Sequence, residues 1–199
     1  ENYALTFIGV PIILWFYSTT FKKQMLVGNL IVAMLTALTA LLVVSFEFAA
    51  LSLVNDHEIT ESTACKQAWF VTSAFAFLAF ITNLSREIVK DLEDIEGDTA
   101  IGCKTLPIEV GTKYSKIIII LLQLFMITIL WLGLIAIDKH INCLRIAIPP
   151  ATLISLSTLW SIVLLTKAQT NRQYHRVSTV CKLTMLIGTL SIVYLYIIR

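Results

Sequence analysis

Charged residues are scarce in this chain. Only 14% of its 199 residues are Asp, Glu, Lys or Arg, whereas soluble domains carry about 25%. Hydrophobic residues make up 57% of the chain, which excludes an ordinary water-soluble domain. The net charge is only +2, and no basic stretch is interleaved with aromatic residues, so nucleic acid is not an expected partner.

The sequence also lacks the patterns of a redox motif, a zinc site or a membrane β-barrel. Its cysteines are far apart and form no CxxC pair; they are Cys65, Cys103, Cys143 and Cys181. No series of segments of about ten residues alternates apolar and polar positions, as barrel strands do. Helices are therefore the remaining way to satisfy the backbone inside lipid.

Long apolar segments are what the sequence does contain. A helix needs about 20 apolar residues to cross a bilayer, and the first and last segments are short by that measure. Pro149 and Pro150 predict the start of the fifth segment. The predicted fold class is all-α, a polytopic transmembrane helix bundle. Its six segments cover residues 3–17, 28–54, 67–88, 117–137, 146–166 and 183–198.

The distribution of Lys and Arg predicts the orientation of the bundle. If the loop after the first segment is cytoplasmic, eleven of the 15 basic residues lie on the cytoplasmic side. Cytoplasmic loops of membrane proteins carry such an excess. The loop around 86–116 is therefore expected in the cytoplasm.

Acidic residues are concentrated in that loop, with seven of the 13 between positions 86 and 116. Asp91, Asp94 and Asp98 are spaced at i, i+3 and i+7, so they share one face if the third helix continues that far. Asn83 and Glu87 extend this face toward the membrane. Carboxylates so placed repel one another unless a cation lies among them, and hard oxygen ligands suit Mg²⁺.

The acidic stretch and a second polar stretch each have more than one interpretation. The acidic stretch could be a solvated helix end with surface pairs such as Lys90 and Asp94. The stretch at 17–23, YSTTFKK, could be an interfacial anchor, or its Lys22 and Lys23 could bind a phosphate. The predicted orientation puts both stretches on one side of the membrane.

Both stretches resemble motifs of the UbiA superfamily of intramembrane prenyltransferases. REIVKDLEDIEGDTAIGCKTLPIEVG, residues 86–111, resembles the second aspartate-rich motif of that superfamily. YSTTFKKQMLVGNLIVAML, residues 17–35, resembles its YS…K loop and the following helix. The resemblance covers essentially the whole chain and is greatest to the branch that includes digeranylgeranylglyceryl phosphate synthase.

The resemblance implies a nine-helix enzyme with two aspartate-rich motifs that face one cavity. Asp91, Asp94 and Asp98 would form the second motif, which binds Mg²⁺ and acts in catalysis. The first motif, of the NDxxDxxxD type, and about three N-terminal helices are not found in this sequence. The chain, residues 1–199, therefore resembles a single membrane domain that forms the C-terminal two-thirds of such an enzyme.

The resemblance also implies substrates. A polyprenyl group, with geranylgeranyl expected, would pass from a prenyl diphosphate to a lipophilic acceptor such as a glycerol phosphate lipid. An aromatic acceptor and a non-catalytic remnant or partner subunit are the alternatives. The implied location is a bacterial inner membrane, with the aspartates on the cytoplasmic side. The candidate substrate-binding residues are Tyr17, Ser18, Lys22, Lys23, Asn83, Arg86, Lys90 and Lys104.

The missing first motif leads to a simple prediction about the native polypeptide. We expect its intact mass, measured after extraction from its own membranes, to exceed the 22.3 kDa of this chain. A mass of 22.3 kDa would instead favour the remnant or partner-subunit alternative.

Overall fold

The structure is a computed structural model that describes residues 2–54, 63–141 and 144–198, and these ranges contain helices and no strand. This confirms the predicted all-α class. A short 3₁₀ turn, Phe21–Lys23, follows the first helix. The α-helices are α1 (Asn2–Thr19), α2 (Val27–Val54), α3 (Thr63–Glu93), α4 (Ile95–Ala100), α5 (Leu106–Val110), α6 (Thr112–Ile141), α7 (Leu144–Lys167) and α8 (Asn171–Ile198).

Five of these helices are long and apolar enough to cross a membrane: α2, α3, α6, α7 and α8. The apolar part of α1, Thr6–Thr19, is shorter, in agreement with the short first segment expected from the sequence. The chain is therefore an integral membrane protein with a polytopic helical fold.

The last helix begins much earlier than predicted. It starts at Asn171, whereas the apolar segment was expected to begin at 183. The first turns of α8 are mostly polar in sequence, but one of their faces is buried and is formed by Tyr174, Val177 and Cys181. These residues are spaced at i, i+3 and i+7, so they share one side of a helix.

The two prolines of α7 do not mark its start. Pro149 and Pro150 lie inside the helix, which begins at Leu144. Prolines are tolerated inside membrane helices because neighbouring groups satisfy the freed backbone atoms.

Helix α3 is at the centre of the packing. It contacts α2, α6 and α8, and α7 packs against α6 and α8. The larger hydrophobic core lies where α3 ends, together with the starts of α2, α6 and α8 and the end of α7. Its buried members include Ala33, Leu84, Ile88, Val89, Leu92, Leu106, Ile119, Leu165, Tyr174, Val177 and Cys181. This core therefore packs against the charged end of α3 and holds it in place.

Polar contacts also join the membrane-spanning helices. Gln123 on α6 is buried, and its Nε2 donates to the Ser161 hydroxyl on α7 at 3.1 Å. Trp131 on α6 donates to the Ser155 hydroxyl on α7, also at 3.1 Å. Such hydrogen bonds between membrane helices contribute about 0.6 kcal/mol each on average.

Two isoleucines on α6 allow a matched test of this packing. Ile119 is fully buried in the core, whereas Ile117 is 43% exposed. Ile→Ala costs about 2–5 kcal/mol in a core. For Ile119→Ala we expect the lower end of that range, because the unfolded helices remain in lipid. Ile117→Ala should cause a much smaller change. Thermal unfolding of both variants in detergent would measure the difference, and equal losses would contradict the described packing.

Candidate functional site

The acidic stretch begins on α3 and continues past its end. Helix α3 ends at Glu93 and α4 begins at Ile95, so the third helix does not continue unbroken to Asp98, which was the condition for the three aspartates to share one face. Backbone hydrogen bonds with the i→i−4 spacing of an α-helix still occur on both sides of the break. The Asp94 N–H donates to the Lys90 carbonyl, and the Asp98 N–H donates to the Asp94 carbonyl, both at 2.9 Å.

The three predicted metal ligands differ in their surroundings. Asp91 and Asp98 are partly buried, whereas Asp94 is exposed at the break between α3 and α4. Asp98 is close enough to Asp91 for their charges to interact. Within the described ranges, no group of three or more His, Cys, Asp or Glu side chains is arranged to hold a metal ion. The structure therefore brings Asp91 and Asp98 near each other without forming a cage of protein ligands.

Glu87 is the buried carboxylate of this region, with only 6% of its surface exposed. Its Oε1 accepts a hydrogen bond from Arg86 Nη1 at 2.7 Å, and its Oε2 accepts one from Lys90 Nζ at 3.2 Å. A buried charge is costly unless it is paired and hydrogen-bonded. Two of the predicted substrate-binding cations therefore also stabilise Glu87.

Asn83 lies on α3, contacts α2, and is only 3% exposed. Its Nδ2 donates to the Thr36 hydroxyl at 2.7 Å and to the Val32 carbonyl at 3.4 Å. Its Oδ1 accepts a hydrogen bond from Arg86 Nη1 at 3.4 Å. All the polar atoms of the Asn83 side chain are thus engaged by the protein. Arg86 Nε is buried without a hydrogen-bond partner among the described residues.

Asn29 makes a second polar contact between α2 and α3. Its Nδ2 donates to Asp91 Oδ2 at 2.6 Å. Asn29 lies in the first turn of α2, so Asp91 faces the positive end of that helix dipole. The contacts of Asn29 and Asn83 form two polar rungs between antiparallel helices.

A backbone hydrogen bond joins the two predicted loops. The Lys104 N–H donates to the Lys23 carbonyl at 2.9 Å. Helix α4 ends at a turn in which Gly102 has φ of 70°, a conformation that favours glycine, and the Cys103 N–H bonds to the Asp98 carbonyl. The side chains of Lys23 and Lys104 are exposed. The Lys22 side chain lies outside the described part of the structure.

Tyr17 and Ser18 lie in the last turn of α1 but differ in their contacts. Tyr17 is partly buried and lies within electrostatic range of Glu87, Lys90 and Asp91. The exposed Ser18 donates its hydroxyl hydrogen to the Trp15 carbonyl within α1, at 2.9 Å. Tyr17 therefore belongs to the charged end of α3, whereas Ser18 bonds to its own helix.

Sequence reasoning missed two partners of the acidic stretch. Asn29 is a single polar side chain at the start of an apolar run, and that isolation was the available signal. His175 Nδ1 lies 2.8 Å from Glu93 Oε1. Nothing in the spacing of His175 indicated this contact, because it depends on how α8 packs against α3.

The fold and the charged helix end define an integral membrane protein with a polar site at one end of its helices. A model of the UbiA prenyltransferase family matches residues 3–186. The chain belongs to this family, which confirms the resemblance on which the sequence prediction rested.

Curated relatives carry a more specific name. The digeranylgeranylglyceryl phosphate synthase of Methanosphaera stadtmanae is 31% identical over 96% of this chain and 61% of its own length. The synthase of the same name from Thermococcus kodakarensis is 27% identical over 94% of this chain and 58% of its own length. The chain thus spans about three-fifths of the length of these relatives. No solved structure matches it.

Glu87 offers a test of how the site is held together. In Glu87→Ala, Arg86 and Lys90 would lose their shared partner inside the protein. We expect a loss of about 3 kcal/mol in unfolding free energy, the lower end for breaking a buried pair, because Lys90 is 42% exposed.

The matched control is Glu96→Ala on α4, because Glu96 is exposed. Its expected change lies within about 0.5 kcal/mol. Thermal unfolding in detergent compares the two, and a Glu87→Ala variant as stable as Glu96→Ala would refute the role of the ion pairs.

Proposed function

We propose that this chain is the larger part of a Mg²⁺-dependent intramembrane prenyltransferase. It would transfer a polyprenyl group, geranylgeranyl in our proposal, from a prenyl diphosphate to a lipid or glycerol phosphate acceptor. As a single membrane domain, residues 1–199 would form the C-terminal two-thirds of the enzyme. The observation that carries the proposal is the pair of partly buried carboxylates, Asp91 and Asp98, at the membrane end of α3 in a member of this family.

The donor atoms of this region fit a magnesium ion shared with a substrate. Mg²⁺ in phosphate-transfer sites commonly takes one or two carboxylates from the protein and other oxygens from phosphates and water. Asp91 and Asp98 supply two carboxylates, and Asp94 supplies a third at the surface. A bound Mg²⁺ would neutralise negative charge on the leaving diphosphate.

The basic residues around α3 fit the diphosphate itself. Lys90 is partly exposed beside Asp91, and the exposed Lys23 and Lys104 come from two loops joined by a backbone bond. Ammonium groups are effective phosphate ligands. In our proposal these groups, with Lys22, Arg86 and Tyr17, bind and orient the diphosphate at the membrane surface. Asn83 contributes indirectly by holding Arg86.

The proposed reaction breaks one carbon–oxygen bond and forms another. The bond between the prenyl carbon and the diphosphate oxygen ionises, and the electron pair leaves with the diphosphate. A hydroxyl oxygen of the acceptor attacks the allylic cation, forms the new carbon–oxygen bond, and passes its proton to the departed diphosphate. The apolar helices would hold the prenyl tail and keep water away from the cation.

Two classes of acceptor fit this reaction. The names of the curated relatives support a glycerol phosphate lipid. An activated aromatic carbon, as used in quinone, heme or tocopherol-type pathways, is the alternative. The same ionisation step would serve both acceptors.

A second candidate function is a non-catalytic partner subunit or remnant. The observation that favours it is that the NDxxDxxxD motif is not found in residues 1–199. Such a protein would bind prenyl diphosphate weakly and would transfer nothing without a second set of carboxylates.

The excess of basic residues around α3 supports a cytoplasmic location of the site. We propose that the chain resides in the plasma membrane, which in a bacterium is the inner membrane. Polar side chains at the membrane surface fit a water-soluble diphosphate group attached to a lipid-soluble tail.

The decisive substitution is Asp98→Asn in the native protein, reconstituted with prenyl diphosphate and a glycerol phosphate lipid. We expect the transfer rate to fall by about 100-fold or more, because a carboxylate that neutralises the leaving group is lost. Radiolabelled product extraction would measure the rate.

Glu96→Gln is the matched control, since Glu96 lies on the same short helix and is exposed. Its rate should stay near that of the wild type, and both variants should melt like the wild type. Full activity in both Asp98→Asn and Asp91→Asn would refute the proposed site.

A further inference from the structure

The contact between Asn29 and Asp91 is short. Asn29 Nδ2 lies 2.6 Å from Asp91 Oδ2. An ionised carboxylate only accepts hydrogen bonds, so the amide must present its NH₂ group, not its oxygen. Among the described residues, no hydrogen bond is made to the other oxygen of Asp91, Oδ1. The contact therefore holds one carboxylate oxygen and leaves the other available.

Both sides of this contact are firmly placed. Leu26, just before α2, has φ of 61°, which is unfavourable for a bulky residue. Leu26 and Leu30 pack against the larger core, which holds this turn in place. On the other side, Val89 and Leu92 flank Asp91 and are fully buried. Asn29 and Asp91 thus meet between two helix segments with little freedom to shift.

The charges near Asp91 explain why a fixed donor matters. Glu87 and Asp98 are both close enough to repel the Asp91 carboxylate. Lys90, on the same helix, attracts this carboxylate, and the hydrogen bond from Asn29 also opposes the repulsion. Because a hydrogen bond is directional, the Asn29 donor, unlike the Lys90 charge, selects one orientation of the carboxylate.

We propose that Asn29 is a positioning residue that holds Asp91 in the orientation needed to bind a divalent cation. The inference rests on the proposed function, because it assigns Asn29 a role toward the metal implied there. Outer partners of metal-binding side chains typically contribute 10- to 100-fold to metal affinity. Asn29 would act through Asp91 and would not touch the cation itself.

The test measures metal binding directly. The native protein in lipid nanodiscs is titrated with Mn²⁺ in the presence of inorganic diphosphate, and bound Mn²⁺ is counted by electron paramagnetic resonance. We expect Asn29→Leu, which has a similar size and no donor, to weaken Mn²⁺ binding by about 10- to 100-fold. Asn29→Ser keeps a short donor and should recover part of the loss.

Thr36→Val is the matched control, because Thr36 makes the other polar rung between α2 and α3. It should lower the melting temperature without weakening Mn²⁺ binding. An Asn29→Leu variant that lowers only the melting temperature, like Thr36→Val, would overturn the inference and show a packing role.

Asn29→Asp separates positioning from direct coordination. It replaces the donor by a second carboxylate, so a positioning role predicts weaker Mn²⁺ binding. Tighter binding would show that residue 29 is itself a ligand and would overturn the inference. If Mn²⁺ binding by the wild type is absent, or is unaffected by Asp98→Asn, the proposed function itself fails, and the inference fails with it.

Discussion

The cost of burying charge beside a membrane determines how this site is built. Glu87 is almost completely buried, and Arg86 and Lys90 pair with its two oxygens. Because all three residues lie on one helix, pairing requires no long-range contact. Because of these ion pairs, the acidic stretch can begin at a residue that is buried inside the protein. The core formed by α3, α6 and α8 holds the backbone of this segment in place. Asp91 lies one helical turn after Glu87, on backbone that the same core holds in place. Its side chain is partly buried, at the edge of the core.

Helices α2 and α3 add a second constraint. Their two polar rungs use an asparagine from each helix, Asn29 toward Asp91 and Asn83 toward Thr36. In lipid, apolar side chains gain little from packing against each other instead of against lipid tails, so hydrogen bonds and close packing specify which helix surfaces meet. The rungs therefore fix the register of α2 against α3, and the same register determines what lies beside Asp91.

Much of this arrangement was predictable from local sequence. Apolar length predicted the helix bundle, because lipid allows few other structures. The aspartate spacing predicted a metal-binding role for Asp91, Asp94 and Asp98, which stays a prediction. Features that depend on packing between distant segments were not predictable. The contact of His175 with Glu93 and that of Asn29 with Asp91 join different helices. The break of the helix at Asp94 was also missed, because the first helix-weakening residue in this stretch, Gly97, comes three positions later. The start of α8 was misplaced because Tyr174, Val177 and Cys181 are separated by polar residues and do not form an apolar run.

The bond between the Lys104 N–H and the Lys23 carbonyl has a consequence for how these loops can change over evolution. It uses main-chain atoms only, so any residue except proline at position 104 can make it. The joint between the loops is therefore compatible with wide variation of both side chains. Selection for the fold alone would leave positions 23 and 104 free to drift. A comparison among family members at these two positions would thus report on the ligand chemistry of the site, separately from the requirements of folding.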